Sequence, residues 1–526
     1  MSEQVDEVKI TTMVDDNIPP EMRGKLAIKD GVLHISEELR GNPNLFSFTN
    51  KCKRSGIRRV QFYPPGDFDK MFSSEAIRGT SGRNSLESYA VKLIDTAYRK
   101  RASDIHIINM GTYATVKMRT LGLLAEYEQL DADTGEKLIQ MIYNSFGQVS
   151  DTFSALKRLD GRIVNPDYLP KGVHSVRIHT EPIQSNSSRA GSLMALRLLY
   201  DSTQASGTLD ERMTRLGFDK HQIVTMHSLC KRGGLSLISG PTGHGKSTVL
   251  KHIMESMVEN MPQKSYQSVE DPPEYPIRGI SQIQVCAEKT DGNVDTHQLR
   301  SRAYEDAIAG AMRSDPDTIM IGEIRYSSSA VAAIDAALTG HGVWATMHAS
   351  DAFAIVTRLE SLLRQARVDN PLDAICDSNV LSGLCYQRLI PILCDNCKQR
   401  MLDLKPEEQN FAVAPDLMMR LQAVLGDKLD QIYIRGNGCE KCNYDGNIGL
   451  TVAAEVVELD HEMLRFLRQG EKLRARQIWK GKPGSKSYVD HALEKVAAGI
   501  VDPADAETRL GVPLDYGQTF YVETDV

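Results

Sequence analysis

The chain has no apolar run approaching the ~20 residues that a bilayer-spanning helix needs, no low-complexity tract and no long-period internal repeat. Basic residues are not in excess: 62 Lys and Arg stand against 69 Asp and Glu, for a net charge of −7. That balance excludes a global basic surface recruiting nucleic acid, while a local basic groove stays open. The opening residues, MSEQVDEVKITTMVDD, are acidic and lack the basic n-region and apolar h-region of a signal peptide. These absences predict a cytoplasmic chain that reaches a membrane only through a partner. What is present is ordinary for a soluble protein: 526 residues, 41% hydrophobic and 25% charged, enough for two to four domains.

Residues 1–80 carry weak patterning and read as an arm or a small docking region. Asn84-Ser85 is a candidate N-cap for a helix in which Leu86, Tyr89, Ala90, Leu93, Ile94 and Ala97 recur at helical spacing. In SDIHIINM, Ile105 and Ile107 alternate with polar neighbours as in a half-buried strand, and Val116 and Met118 continue the habit before a turn near Gly122. Residues 81–200 therefore predict an α+β domain, and the polar stretch YDSTQASGT places a linker at 201–215. Beyond it, strand, loop and helix alternate, the pattern of a parallel sheet covered on both faces. The strands are LSLIS (235–239), TIMI (318–321) and VWATM (343–347), giving an α/β core over 216–390.

Between LSLIS and an amphipathic helix lies Gly240-Pro241-Thr242-Gly243-His244-Gly245-Lys246-Ser247-Thr248, which fits GxxxxGK[ST]. The glycines let backbone N–H groups turn inward around the phosphates of ATP, Lys246 sets a positive charge on them, and the Ser247 hydroxyl is placed for Mg²⁺. The following helix points its N-terminal dipole at the anion. Hydrolysis also needs one carboxylate to orient or deprotonate water and another for the Mg²⁺ shell. SVEDPPEY supplies Glu270, Asp271 and Glu274; DPDTIMIGEIR supplies Asp317 and Glu323, the latter just after a buried strand. A carboxylate there falls at the sheet's carboxyl edge, where ligands of open α/β sheets bind.

These motifs, with TGHGVWATMHASDA, resemble in order and spacing the secretion ATPases of type II secretion and type IV pilus assembly over roughly residues 85–460. The resemblance implies a RecA-like P-loop NTPase core, an N-terminal PAS-like α+β domain and a zinc-binding C-terminal subdomain. By the same resemblance Glu274 is the water-activating glutamate, Glu323 the Walker B carboxylate, and His348 and His341 the histidine-box residues on the γ-phosphate side. Arg325 of GEIRY and Arg313 of AMRSDPD join the nucleotide-binding set. In this family arginines of the N-terminal domain reach ATP, and Arg119, Arg162, Arg177 and Arg197 are the candidates here. Three positions depart from the pattern: His244 stands where Ser is common, Tyr326 where Asp is common, and Ala309 where a second Arg is usual. His244 is expected to point to solvent, with mild pH sensitivity as the alternative.

Nine cysteines include two CxxC pairs, Cys394/Cys397 and Cys439/Cys442, about 40 residues apart. Four thiolates on two such turns suit a closed structural Zn²⁺ site better than redox chemistry. The other five (Cys52, Cys230, Cys286, Cys376, Cys385) read as buried small hydrophobes. The pairs resemble the tetracysteine insertion of assembly-type members, placed at 391–450 ahead of a helical C-terminal region, 451–526. With no AIR-type motif near the C-terminus, the resemblance implies a homo-hexameric motor that acts on an inner-membrane platform protein and pilin-type assembly machinery. The alternatives are a retraction or conjugative-secretion ATPase, a nucleic-acid translocase, or a scaffold that binds ATP without turnover.

Overall fold

The computed structural model describes residues 83–149, 151–200, 207–286, 296–403 and 415–516, with parts of 22–67. In those parts, β1 (Leu26–Lys29), β2 (Val32–Ser36) and β3 (Arg59–Tyr63) form a small sheet over Met22, Leu26, Leu33 and Ile35. Helix α1 (Arg83–Arg99) begins ahead of Asn84-Ser85, so that pair lies in its first turn and does not cap it. The next strands are β4 (Ala102–Asn109), β5 (Tyr113–Thr120), β6 (Leu123–Asp131), β7 (Leu159–Ile163), β8 (Val173–Ile183) and β9 (Gly191–Tyr200). They make one antiparallel sheet in the order β6-β5-β4-β9-β8-β7. Its period-2 alternation sends Ile105, Ile107, Val116, Met118, Val176, Ile178 and Leu196 against α1 and α2 (Ala132–Met141). The opposite face carries the polar partners, and strand register lines them up. Arg119 pairs with Asp104, Asp104 with Arg197, Arg197 with Arg177, and Arg177 with Arg162. All four candidate arginines thus stand in one cross-strand row.

The second half is a seven-stranded sheet ordered β12-β11-β13-β14-β10-β15-β18. Its strands are β10 (Gly234–Ser239), β11 (Tyr266–Glu270), β12 (Ser281–Gln284), β13 (Thr318–Ile321), β14 (Gly342–Met347), β15 (Leu381–Leu393) and β18 (Asn447–Glu458). Six run parallel, and β18 closes the edge antiparallel to β15. Helices α3 (Leu209–Leu216), α4 (Lys220–Lys231) and α5 (Lys246–Asn260) cover one face through Met213, Met226, Val249, Leu250 and Ile253. Helices α6 (Thr296–Met312), α7 (Ser327–Leu338) and α8 (Ala354–Gln365) cover the other through Ile308, Ala333, Ile334 and Leu359. With both faces covered, β10, β11 and β13 are buried along their whole length.

Three expected boundaries shift. Helix α3 occupies the second half of the expected linker, capped by Thr208 and Glu211, while 201–206 lie outside the described residues. The core does not close at 390, because β15 runs on to Leu393 and β18 returns beside it. Region 451–526 is accordingly not all helical: Thr451–Glu458 belong to β18, and their apolar run (VAAEVV) reads as a buried strand only once β15 is beside it. The remainder folds as α11 (His461–Arg468), α12 (Lys472–Lys480), α13 (Tyr488–Ala497) and α14 (Pro503–Leu510), after α9 (Pro371–Ile375) and α10 (Pro415–Leu425). Between β15 and β18 a short pair, β16 (Gln399–Arg400) and β17 (Tyr433–Ile434), sits beside the cysteine pairs. Among the described residues no helix is long and apolar enough to cross a membrane.

Candidate active site

The carboxyl edge of the parallel sheet gathers four motifs, because each follows a strand that ends there. Gly240 follows β10, Asp271 follows β11, Glu323 follows β13 and His348 follows β14. The phosphate loop uses positive φ at Gly240 (150°), Gly243 (78°) and Gly245 (75°). At Gly240 a Cβ would lie 2.3 Å from the Gln387 carbonyl oxygen, so only glycine lets β15 approach this closely. Lys246 opens α5 and donates to the carbonyls of Gly240 (2.9 Å) and Pro241 (3.0 Å). Burial pushes its ammonium down to about 8, against the pull of the Glu323 and Glu274 carboxylates. Both acids therefore lie within electrostatic reach of the lysine. Ser247 is exposed at the mouth of the loop.

Glu323 is held from two sides. His348 Nε2 stands 3.1 Å from its Oε1, and the Arg325 guanidinium donates to its Oε2 at 2.6 Å. Burial alone would raise this carboxyl, but the hydrogen bonds from His348 and Arg325 and the guanidinium charge outweigh it and hold it near 2. His348 also spans to the phosphate loop, donating from Nδ1 to the Gly240 carbonyl at 3.0 Å. Lys246, Glu323, Arg325, His348 and the loop thus form one connected cluster. Glu274 lies on the loop after β11, and among the described residues no side-chain donor occupies its carboxylate. Its backbone N–H donates to Glu270, which is buried, accepts from Ser268 Oγ (2.7 Å) and Gln282 Nε2 (2.9 Å), and is raised by that burial. Arg177 of the arginine row donates to the Asp271 carbonyl at 3.4 Å, which brings the row over this loop. Arg197 is engaged with Asp104 at 2.9 Å, Arg119 stands 3.7 Å from the same acid, and Arg162 donates to Ser175 Oγ.

Two expected site residues lie elsewhere. His341 precedes β14 while His348 follows it, so roughly 20 Å of strand separates them at ~3.3 Å per residue. The His341 ring instead caps the end of α7, with Nδ1 3.0 Å from the Ala336 carbonyl and from Thr339 Oγ1. Arg313 is exposed in the turn before β13, at the same amino edge. The periodicity of the motif hid this, because a strand between two histidines sends them to opposite ends of the sheet. His244 is a third correction: it does not point to solvent. Its Nδ1 accepts the Leu389 N–H at 2.9 Å and its carbonyl accepts from Gln387 Nε2 at 2.7 Å. Position 244 therefore ties the phosphate loop to β15. Sequence reasoning missed Gln387 and Leu389 because the contact spans more than 140 residues.

Burial, with Arg388, Arg509 and Lys246 nearby, pushes His244 down to about 4, so the ring is neutral near pH 7. Burial likewise pushes His491 down to about 3, where its Nδ1 accepts the Ala454 N–H at 3.1 Å. An unfolded histidine takes up its proton near pH 6.5. Between that pH and the folded values these two rings bind more protons in the unfolded chain, so the stability they contribute is full above about 6.5 and falls on acidification. Thermal unfolding should show the melting temperature falling as pH drops from 6.5 toward 4. His244→Asn, which keeps an acceptor for Leu389 without titrating, should flatten that fall; an identical profile would refute the assignment.

The four paired cysteines converge at the end of the β15–β18 pair, with all sulfurs within 4.8 Å of one another. Cys394–Cys439 is 3.7 Å, and Cys397–Cys442 and Cys439–Cys442 are 3.8 Å, sulfur to sulfur. Four sulfurs at a Zn–S distance of about 2.3 Å form a tetrahedron with edges of about 3.8 Å, so the donor set fits that ion. Backbone N–H groups of Cys439 (3.1 Å) and Gly446 (3.2 Å) donate to Cys442 Sγ, as they would to a thiolate. Of the remaining cysteines, Cys376 and Cys385 are buried and Cys230 is half-buried, as expected. Cys286 is exposed beyond the end of β12, and Cys52 lies outside the described residues.

Comparison with known proteins fits this geometry. The family described as Type II/IV secretion system protein matches residues 80–508. The type II secretion system ATPase E of Vibrio cholerae is 30% identical over 424 residues, covering 78% of this chain and 73% of that protein. The type IV pilus assembly ATPase PilB of Thermus thermophilus is 29% identical over 420 residues, covering 79% of this chain but only 42% of that protein. This chain thus spans less than half the length of the pilus relative and nearly three quarters of the secretion relative. The solved structure of the ATPase DotB of Legionella pneumophila shares the fold, with a TM-score of 0.52 at 18% identity over 81% of this chain and 96% of that one. With more than three quarters of its length matched by the family, the chain belongs to the type II/IV secretion system proteins.

Proposed function

We propose that the chain is an ATP hydrolase and the motor of a type IV pilus assembly or type II secretion machine. The observation that carries this is the Lys246–Glu323–His348–Gly240 cluster, with Glu274 beside it. It supplies a phosphate cradle, a restrained acid and an unrestrained acid at one sheet edge. The names of the relatives, an ATPase of type II secretion and one of type IV pilus assembly, support the reading. The backbone N–H groups of 243–247 and the α5 N-terminus bind the phosphates, and Lys246 turns from its two carbonyls to them. Glu274 takes the proton of the attacking water. Ser247 and Glu323 are the residues for Mg²⁺, which offsets phosphate charge when bound. Arg325, Arg177 and Arg197 supply further positive charge, so that phosphate binding pulls the N-terminal sheet toward the core. We read that sheet and its two helices as the PAS-like domain.

The working form in this reading is a homo-hexamer at the cytoplasmic face of the inner membrane, moving a platform protein so that pilin-type subunits are assembled. The cysteine cluster, with structural Zn²⁺, favours the assembly motor over the retraction motor. Assembly is tested by Mg²⁺-ATP turnover per chain against protein concentration. The rate should rise steeply and then level as rings form; a rate flat across a hundredfold dilution series would exclude shared sites.

A further inference from the structure

The loop carrying His348 is held from behind by residues that the nucleotide chemistry does not use. Glu455, in the middle of β18, is wholly buried. Its Oε2 accepts the Ala352 N–H at 2.9 Å, and the Tyr488 backbone also lies against the carboxylate. From α12, Arg476 sets its guanidinium 2.5 Å from Asp351 Oδ1 and 3.9 Å from Glu455 Oε2. The same guanidinium lies over the Phe353 ring at 5.3 Å, and Trp479 packs on that ring at 5.8 Å. Asp351 Oδ1 also accepts the Ala354 N–H at 2.9 Å and so starts α8. Three consecutive residues after His348-Ala349-Ser350 are therefore fixed by β18 and α12 together.

A fully buried carboxyl is costly, and packing alone does not call for one. Tyr386 and Tyr488 also face Glu455, and burial raises its carboxyl to about 7, against Arg476 and with Asp351. Its hydrogen bond to the Ala352 N–H joins it to the loop that orients His348 between Glu323 and Gly240, beside a second backbone contact from Tyr488.

We propose that Glu455 and Arg476 are positioning residues that clamp 351–353, keep His348 on Glu323 and the phosphate loop, and make α12 a lever on the nucleotide site. The inference rests on the ATP hydrolase reading for its kinetic consequence, but not for its structural one. It is tested on the full chain with Arg476→Met, Arg476→Lys and Glu455→Gln, each first checked for wild-type zinc content and melting temperature. Hydrogen exchange read on residues 348–354 should quicken about tenfold in Arg476→Met and Glu455→Gln while the strands keep their protection. In the same variants kcat should fall about tenfold with KM within about twofold, because a misplaced His348 affects turnover more than binding. Arg476→Lys should recover part of both. Unchanged exchange at 348–354 overturns the clamp, as does faster exchange spread evenly over the sheet. If exchange behaves as expected but wild type does not turn over ATP, the clamp stands and the hydrolase reading falls.

Discussion

Glu274→Gln is expected to lower kcat for ATP hydrolysis about a thousandfold while leaving ATP affinity within about threefold. The two acids of the site differ in what restrains them. Glu323 is locked between His348 and Arg325 and held near 2, which makes it a poor proton acceptor. Glu274 carries no such partner among the described residues and lies within electrostatic reach of Lys246. Its loop is nonetheless well supported, through the Glu270 network and the Tyr275 ring under Lys251 at 5.6 Å. Glutamine keeps the size and the loop, so binding should survive while proton transfer is lost. Turnover with saturating Mg²⁺-ATP, beside binding of a fluorescent ATP analogue, separates the two. Equal losses in both would mean that Glu274 shapes the site and does not act as its base.

Removing the four-cysteine cluster should have the second largest effect, on stability. Cys394 follows β15 directly and Cys442 precedes β18 by a short turn, so an ion there joins the ends of the two longest strands of the sheet. Those strands also hold the active site. β15 carries Gln387 and Leu389, which grip the phosphate loop, and β18 carries Glu455. Structural zinc contributes roughly 10–16 kcal/mol in small isolated domains. Here the strands pair without it over eleven register positions from Gly383 to Leu393, so a smaller share should be lost. About 3 kcal/mol is expected for Cys394→Ser with Cys442→Ser, a fall of roughly 10 °C for a unit of this size. The variant should hold no zinc by elemental analysis, against one per chain in the parent. A melting temperature within 2 °C of the parent would refute the staple, on the scale of about 2–4 °C per kcal/mol.

Much of this site was legible in the sequence because its motifs are short and each follows an apolar strand. LSLIS, TIMI and VWATM fall within β10, β13 and β14, and in a parallel sheet their ends must share an edge. The cysteine spacing was legible for the same local reason. Contacts between distant segments were not. His244 looked like a solvent-facing substitution until β15 supplied the Leu389 N–H. His341 and Arg313 stood inside recognisable motifs, yet a strand's direction places them at the amino edge. The row Arg119–Asp104–Arg197–Arg177–Arg162 exists only through the register of five strands. β18 was missed because its apolar run suits a helix as well as a strand until its partner is known.

The most direct test of the central claim is the steady-state release of phosphate from Mg²⁺-ATP by the full chain, measured beside Lys246→Ala and Glu274→Gln. The site described here predicts turnover by the parent, no turnover and greatly weakened ATP binding in Lys246→Ala, and retained binding without turnover in Glu274→Gln. Hydrolysis that persists in Lys246→Ala would contradict the account, because the phosphate loop could not then be where ATP is cleaved.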